Sequence, residues 1–300
     1  MLNGIVLAGF AVGFGACAFV GESQTAGENA IKADKHTNGG YMLVWADEFN
    51  KDGKPDTRNW IYENGFVRNK EFQWYQPGNG RCENGVLVIE GRRERVVNPN
   101  YDAKSSSWRK KRKYAEYTST CIKGRGKQQW KFGRFVMRGR IDIRPGLWPA
   151  FWTLGSARNW PGCGEIDIME YYKGILLANA CWASKKPRTP IWDSVKTPIK
   201  HFTEPDWADW ADKFHVWRMD WDKDFIKLYV DDELLNTIEL DKTINKSSDK
   251  ANPFHEPHYI LLNLAIGGDS GGDPSKTKFP SRFEVDYVRV YQKQDRKLKK

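Results

Sequence analysis

The chain has 300 residues, of which 40% are hydrophobic and 29% charged, with 14 Trp, 15 Phe and 12 Tyr. This composition suits one large all-β domain with tails, is too rich in aromatic residues for a disordered chain, and, with a mean hydropathy of −0.70, excludes a membrane protein of many spans. The net charge of +10 permits an anionic partner without requiring one, and the many indoles favour a surface that binds flat ligands.

Residues 1–20 predict an export signal. Residues 5–20 are apolar but too few for a membrane-spanning helix, and no Lys or Arg precedes them. Cys17 follows Phe-Gly-Ala, which is similar to a lipoprotein processing box, in which a lipid on Cys17 would attach the chain to a membrane. An ordinary signal peptide with an incidental cysteine is the alternative. We therefore expect an exported protein, either an outer-membrane or cell-surface lipoprotein or a secreted or periplasmic one.

Composition divides the remaining chain into three parts. Residues 21–40 are polar and lack periodicity, which predicts a tether. Residues 41–293 contain neither a linker nor an internal repeat, which predicts a single folded domain. Residues 294–300 form a basic tail.

The other four cysteines are Cys82, Cys121, Cys163 and Cys181. No pair has the Cys-x-x-Cys spacing that is typical of zinc sites. Disulfides and buried, reduced thiols are both consistent with these positions.

Short alternating segments recur along the domain, separated by Gly, Pro, Asn and Asp. The predicted strands cover residues 85–90, 133–143, 225–230, 234–240, 259–266 and 282–291. Residues 231–233 predict a hairpin turn between the third and fourth of these. Long helical periodicity is absent. The pattern therefore indicates an all-β sandwich of two sheets, of the jelly-roll type.

Three acids lie in an otherwise apolar strand at residues 165–170. Glu165 and Asp167 share one face of a regular strand, while the isoleucine that follows each of them enters the core. Glu170 is out of phase by one residue, and a β-bulge near Met169 would return it to the face of the other two acids. Three carboxyl groups on one sheet face are electrostatically costly, which indicates a functional use.

Glycosidic bond cleavage is the use that fits this triplet. Retaining hydrolysis needs two carboxyl groups about 5–5.5 Å apart, one ionised and one protonated. Asp167, between the two glutamates, would separate their pKa values. A calcium cluster or a set of surface acids is the alternative, but the alternation with isoleucines and the flanking tryptophans disfavour both.

The same region resembles glycoside hydrolase family 16. The resemblance rests on the sequences Trp-Pro-Ala-Phe-Trp at 148–152, Trp-Pro at 160–161, Gly-Glu-Ile-Asp-Ile-Met-Glu at 164–170, Val-Trp-x-Asp-Glu-Phe at 44–49, Gly-Arg-Phe at 133–135 and Asp-Tyr-Val-Arg-Val-Tyr at 286–291. It implies a concanavalin-like β-jelly-roll of two antiparallel sheets with a concave substrate cleft. It also implies that Glu165 is the nucleophile, Glu170 the general acid/base and Asp167 the assisting acid, with no cofactor required for catalysis.

The resemblance further implies a set of aromatic substrate-binding residues. Trp160 matches a tryptophan that stacks beneath the sugar next to the cleaved bond, and a core indole is the alternative. Trp148 and Trp152 share one strand face, so both would line the cleft or one would pack beneath it.

Four polar residues complete the implied substrate set. Arg138 would bind sugar hydroxyls or serve as a structural partner of a carboxylate. Asn263 interrupts an apolar run and would either contact substrate or have a purely structural role. Asn64 and Asn69 resemble a loop at the glycone edge of the cleft.

Two further features follow from the resemblance. Cys181 stands where laminarinases of the family have a histidine. This difference argues against a strict specificity for β-1,3 linkages. The family also implies a structural calcium ion near Glu48, Gly85 and Asp286, bound mainly by backbone carbonyl groups.

Between Arg92 and Arg140 the chain has 16 Lys and Arg against 3 Asp and Glu. This run would be either a solvated loop or an attraction for a polyanion, and nucleic acid is disfavoured because no binding motif accompanies it.

The sequence as a whole predicts a monomeric endo-β-1,3(4)-glucanase acting on a polysaccharide. A hydrolase of galactans such as agar, porphyran or carrageenan is the first alternative, and a non-catalytic carbohydrate-binding protein is the second.

Overall fold

A computed structural model describes residue 1 and residues 35–204, 209–246 and 250–293. The chain divides into two units, residues 1–35 and residues 36–300. The predicted export signal, the lipid site at Cys17 and most of the tether lie outside the described residues, as does the basic tail. Within the described part, no helix has the length and apolar character needed to cross a membrane.

The second unit consists mainly of β-strands. They are β1 (Tyr41–Asp47), β2 (Ile61–Tyr62), β3 (Gln73–Tyr75), β4 (Gly80–Glu83), β5 (Val86–Gly91), β6 (Val96–Val97), β7 (Tyr114–Ala115), β8 (Tyr117–Ser119), β9 (Cys121–Lys123), β10 (Gly133–Arg140), β11 (Leu147–Gly155), β12 (Glu165–Tyr172), β13 (Ile175–Ala183), β14 (Pro190–Pro198), β15 (His215–Trp221), β16 (Phe225–Val230), β17 (Glu233–Glu239), β18 (His258–Ile266) and β19 (Ser281–Lys293). The helices are α1 (Trp108–Lys111), α2 (Lys200–Thr203) and α3 (Gly268–Gly271), with 3₁₀ turns at Lys35–Thr37, Pro77–Asn79, Trp210–Asp212, Leu240–Lys242 and Pro253–His255.

Two large antiparallel sheets form the fold. The eight-stranded sheet has the order β17-β16-β15-β10-β19-β5-β4, with β1 also paired to β19. The seven-stranded sheet has the order β14-β13-β12-β11-β18-β9-β2. Two small pairs, β3 with β8 and β6 with β7, accompany them. The all-β, jelly-roll sandwich that the sequence predicts is confirmed.

Alternation along the strands places the core between the two sheets. In β10, Phe135 and Met137 are fully buried in the main apolar cluster, and Ile166 and Ile168 of β12 enter the same cluster from the other sheet. Each strand thus contributes one apolar face to a common core. The opposite face of β12 is left to carry polar side chains.

The predicted hairpin is present between β16 and β17. Its turn is Asp231-Asp232, with φ angles of 47° and 70°. Positive φ at both turn residues matches the right-handed twist of the flanking strands, which explains why aspartates stand there.

Candidate active site

A cavity of about 630 Å³ lies on the seven-stranded sheet. Side chains of β11, β12, β13, β14 and β18 form its wall, together with Arg68, Asn69 and Glu71 from the loop between β2 and β3. Glu165, Asp167 and Glu170 all line it. The three acids of the sequence motif therefore share one cavity.

A β-bulge in β12 brings the three acids together. Ala150 of β11 stands opposite Glu170, but Trp152 stands opposite Asp167, so β12 has one residue more than its partner between these pairs. The register of β12 against β13 shifts over the same interval. This extra residue restores Glu170 to the cavity face. The bulge that the sequence predicts near Met169 is confirmed.

Glu165 receives a hydrogen bond from Trp160, whose Nε1 donates to Oε2 at 2.6 Å. Burial raises the pKa of Glu165, while the Trp160 hydrogen bond and the positive charge of Arg68 act in the opposite direction. Both of these groups stabilise the ionised form, which is the form a nucleophile needs.

Glu170 has a different set of partners. Trp148 Nε1 donates to its Oε1 at 2.7 Å. Burial raises the pKa of Glu170 to about 8, and the negative charges of Glu165 and Glu71 add to the effect. Glu170 is consequently protonated at neutral pH and can donate a proton.

Asp167 lies between the two glutamates and is only 3% exposed. Its pKa is held well above the ordinary value, first by burial and then by the charges of Glu165 and Glu170. A hydrogen bond joins its carboxyl group to that of Glu165. This hydrogen bond raises the pKa of Asp167 and lowers that of Glu165, so Asp167 is the donor and Glu165 the acceptor.

Asn179 of β13 connects the acids to the next strands. Its Nδ2 lies 3.3 Å from Asp167 Oδ2 and 3.4 Å from Glu170 Oε2, and its Oδ1 accepts from Ser194 Oγ at 2.5 Å. This network fixes the orientation of two of the three carboxyl groups without placing a charge beside them.

The three predicted tryptophans all line the cavity. Trp160 is 42% exposed, so its ring is available for stacking against a sugar. Trp148 and Trp152 are largely buried and form the floor, where Trp152 Nε1 donates to Asn263 Oδ1 at 2.7 Å. Asn263 thus satisfies a buried indole and also borders the cavity.

The other predicted polar residues separate into two groups. Asn69 lines the cavity, whereas Asn64 is exposed and does not belong to the cavity wall. The prediction that Arg138 binds sugar hydroxyls is wrong, because Arg138 is not part of the described cavity wall. Arg138 lies on β10 of the eight-stranded sheet, where its Nη1 pairs with Asp286 at 2.6 Å. Alternation correctly placed it on a polar face, but that face belongs to the other sheet.

The predicted calcium residues offer no free carboxylate. Glu48 accepts from Arg289 through both oxygens, at 2.7 and 2.8 Å, and Asp286 is paired with Arg138. No cluster of three or more His, Cys, Asp or Glu side chains suited to a metal occurs in the described ranges. The side chains of Glu48 and Asp286 therefore do not fit as calcium ligands. A site built on backbone carbonyls, including that of Gly85, stays a prediction.

The four cysteines of the domain are buried and form no disulfide with one another. Cys181 stands opposite Glu165 on β13 and is fully buried, so it does not reach the cavity wall. Burial and the nearby acids raise the pKa of the Cys181 thiol, which keeps it neutral. An effect of Cys181 on specificity would act through Glu165.

The basic run packs against the loop at the edge of the cavity. Arg109 Nε donates to the carbonyl oxygen of Val67 at 3.0 Å, and Arg112 Nη2 donates to that of Lys70 at 2.6 Å. The Arg112 guanidinium also lies 5.0 Å from the Trp108 ring centroid. No residue between 92 and 140 is part of the described cavity wall. This part of the basic run serves as a support for the loop.

Several cavity residues were not predicted. Arg68 and Glu71 flank Asn69 in the loop, and Asn179 faces Asp167 across the β12–β13 pair. Four side chains of the edge strand β14 also line the cavity, namely Pro190, Trp192, Ser194 and Lys196. Their spacing of two residues was the available signal, but β14 lacks an apolar face that would have identified it as a strand.

Comparison with known proteins agrees with this geometry. Residues 90–289 match the sequence profile of Glycosyl hydrolases family 16. The chain is 34% identical over 274 residues to the beta-glucanase of Rhodothermus marinus, a match that covers 84% of this chain and 85% of that protein.

Two solved structures are similar over nearly the whole described domain. One is a non-specific endo-beta-1,3(4)-glucanase, with a TM-score of 0.69, 34% identity, and coverage of 85% of this chain and 92% of the other. The second belongs to work on endo-acting O-glycanases that prominent members of the human gut microbiota express to initiate mucin breakdown. It has a TM-score of 0.76, 34% identity, and coverage of 86% and 92%.

Proposed function

The chain belongs to glycosyl hydrolase family 16, and from this premise we propose that it is an endo-acting, retaining hydrolase of β-1,3- and mixed-linkage β-1,3/1,4-glucans. The observation that carries the proposal is the bulge in β12. It places Glu165 and Glu170 on one cavity wall, with different hydrogen-bond donors on each.

In the first step, a carboxylate oxygen of Glu165 attacks the anomeric carbon. The bond from that carbon to the leaving oxygen breaks, and the proton of Glu170 passes to the leaving oxygen. Protonated Asp167 donates a hydrogen bond to Glu165, which stabilises its charge before attack and orients the attacking oxygen.

In the second step, Glu170 acts as a base. It takes a proton from a water molecule, whose oxygen attacks the anomeric carbon and releases the Glu165 carboxylate. Two inversions at one carbon return the original configuration. Glu170 is then protonated again and ready for the next cycle.

The charges around the cavity favour a neutral polysaccharide. The described wall contains four acids, Glu71 and the β12 triplet, against two cations, Arg68 and Lys196. Because Asp167 and Glu170 are protonated, the remaining acids and the two cations nearly balance, so a sulfated chain would meet no excess of positive charge in the cavity. The dense basic run contributes nothing to the wall. This supports a glucan over carrageenan or porphyran.

An O-glycan of the kind found in mucin is the second candidate. The observation that favours it is the similarity to the endo-acting O-glycanase structure, at a TM-score of 0.76. The exposed ring of Trp160 offers a stacking surface to the sugars of either substrate.

A substrate panel separates these functions. Purified protein is incubated with laminarin, lichenan, barley β-glucan, agarose, κ-carrageenan and mucin O-glycans, and reducing ends and product linkages are measured. We expect release from laminarin, lichenan or barley β-glucan, and no release by the Glu165→Ala variant. Cleavage of only the galactose-containing substrates would overturn the glucan assignment, and full activity of Glu165→Ala would overturn the assignment of the nucleophile.

We also propose that the protein is an exported monomer with a lipid on Cys17. The apolar stretch and the Phe-Gly-Ala-Cys sequence support this proposal. Labelled palmitate should enter the full-length protein but not its Cys17→Ser variant, and light scattering should give the mass of one chain. Equal labelling of both proteins would contradict lipid attachment at Cys17.

A further inference from the structure

Arg68 is the one arginine in the described cavity wall, and its surroundings differ from those of the surface arginines. Its side chain is 22% exposed, and its guanidinium carbon lies 5.1 Å from the ring centroid of Trp152 on the cavity floor. Its Nη1 is buried and makes no hydrogen bond in the structure. A buried donor without a partner is costly, so this nitrogen calls for an acceptor that the bound substrate can supply.

The other side of the guanidinium is fixed by the protein. Arg68 Nη2 pairs with Glu63 Oε2, and the second oxygen of Glu63 accepts from Lys123 Nζ at 2.9 Å. Arg68 also interacts with Glu71, so two acids and two cations balance in charge around it and hold one side of its guanidinium in place.

The loop that carries Arg68 is held on both sides. Arg109 binds the carbonyl oxygen of Val67, directly before Arg68, and Arg112 binds that of Lys70, two residues after it. These contacts restrict the backbone from which Arg68 projects. A side chain that is held in this way can bind a ligand with little loss of conformational entropy.

We propose that Arg68 is a substrate-binding and positioning residue: its Nη1 donates a hydrogen bond to an oxygen of a sugar bound in the cavity, and its charge stabilises ionised Glu165. The proposal rests on the function proposed above and extends it by one residue. The charge effect agrees with the lowering influence of Arg68 on the pKa of Glu165. The other titratable groups that interact with Glu165 are Asp167, Glu170, Cys163 and Cys181, and none of these is cationic.

The test compares Arg68→Met and Arg68→Lys with wild type on the oligosaccharide that wild type cleaves best. Loss of a charge-assisted hydrogen bond predicts a decrease of roughly 10–100-fold in kcat/KM for Arg68→Met. The acidic limb of the pH profile of kcat/KM should also move to higher pH, because Glu165 loses a stabilising cation. Arg68→Lys should restore the position of the acidic limb but retain a raised KM, because an ammonium group cannot bind Glu63 and the sugar as a planar fork does.

Arg138→Met is the matched control, since Arg138 also pairs with a carboxylate but lies on the other sheet. It should keep the kcat/KM and the pH profile of wild type. If Arg68→Met fails to fold, Glu63→Gln/Arg68→Met removes the buried pair together and is measured in its place.

Each outcome separates this proposal from the proposed function. A kcat/KM for the Arg68 variant within twofold of wild type, with an unmoved acidic limb, would overturn the role of Arg68 and leave the hydrolase assignment intact. A wild type without activity on any glucan would overturn the glucan assignment. The role of Arg68 would then be tested on whichever panel substrate is cleaved.

Discussion

The acidic residues on the two sheets have opposite kinds of partners. On the eight-stranded sheet, arginines pair with Asp220, Glu284, Asp286 and the adjoining Glu48. The Arg134–Asp220 and Arg138–Asp286 contacts measure 2.6 Å, and the Arg289–Glu48 contact measures 2.7 Å. On β12 of the seven-stranded sheet, no ion pair within the described ranges involves Glu165, Asp167 or Glu170. Their protein donors are indole and amide N–H groups and one another.

The difference lies in what each set of acids can do. A carboxylate paired with a guanidinium has its oxygens occupied by that partner, so it contributes to stability and is not available for proton transfer. A buried carboxyl group with neutral donors keeps a raised pKa and a free oxygen, at a cost to folding. The eight-stranded sheet therefore stabilises the fold, while the seven-stranded sheet carries the chemistry.

Removal of the nucleophile should have the largest effect. Glu165→Ala is expected to lower kcat on the order of 10⁴-fold or more, because no other described group can form the covalent intermediate. Added azide should partly restore turnover by attacking the anomeric carbon from the vacated side. Turnover is followed by reducing-end release, and circular dichroism checks the fold. Residual activity within tenfold of wild type would assign the nucleophile elsewhere.

The next largest effect is expected for the acid/base. Glu170→Gln should lower kcat by about 10²–10⁴-fold on polysaccharide. The alkaline limb of the pH profile should also disappear, because in wild type the acid form of Glu170 is lost as the pH rises through its pKa of about 8. An aryl glycoside with a good leaving group should recover most of the first-step rate. An unchanged alkaline limb would show that a different group limits activity there.

The same variant should show how much the raised pKa of Glu170 lowers the free energy of unfolding. The pKa of Glu170 is raised in the folded state, so the folded protein binds more protons than the unfolded chain between about pH 4.5 and 8. Wild-type stability should fall across this interval, and that of Glu170→Gln should not. We expect the variant to be more stable by about 1–4 kcal/mol at pH 8.5 and by little at pH 4. Urea denaturation at both pH values measures this, and equal pH dependence would contradict it.

Changes on the eight-stranded sheet should have the smallest effects. Arg138→Met is expected to lower the free energy of unfolding by about 0–1 kcal/mol, since the Arg138–Asp286 pair is partly exposed. Substrate kinetics should be unchanged. A loss of activity without loss of stability would show that this face takes part in substrate binding after all.

The sequence predicted the arrangement of the acids on β12 well because that arrangement is local. The six-residue spacing of the acids, the alternating isoleucines and the need for a bulge all follow from one segment. The positions of Trp148 and Trp152 on one face follow from strand geometry in the same way. These features require no knowledge of distant contacts.

The sequence was less informative where contacts between distant segments decide the outcome. Alternation placed Arg138 on a polar face but could not say which sheet carried it. The availability of Glu48 and Asp286 for a metal depends on Arg289 and Arg138, which are brought close only by strand pairing. Arg68 lies in a loop whose backbone is held by residues about 40 positions away, so no local pattern pointed to it.

The stereochemistry of the first product is the most direct check on the paired glutamates. Hydrolysis of the best glucan substrate is followed by ¹H NMR from the first minutes, before the reducing ends mutarotate. If β12 presents Glu165 and Glu170 to the same bond as nucleophile and acid, the new reducing ends should appear first as the β-anomer. Initial formation of the α-anomer would mean that water attacks directly, and the assignment of Glu165 as a covalent nucleophile would be wrong.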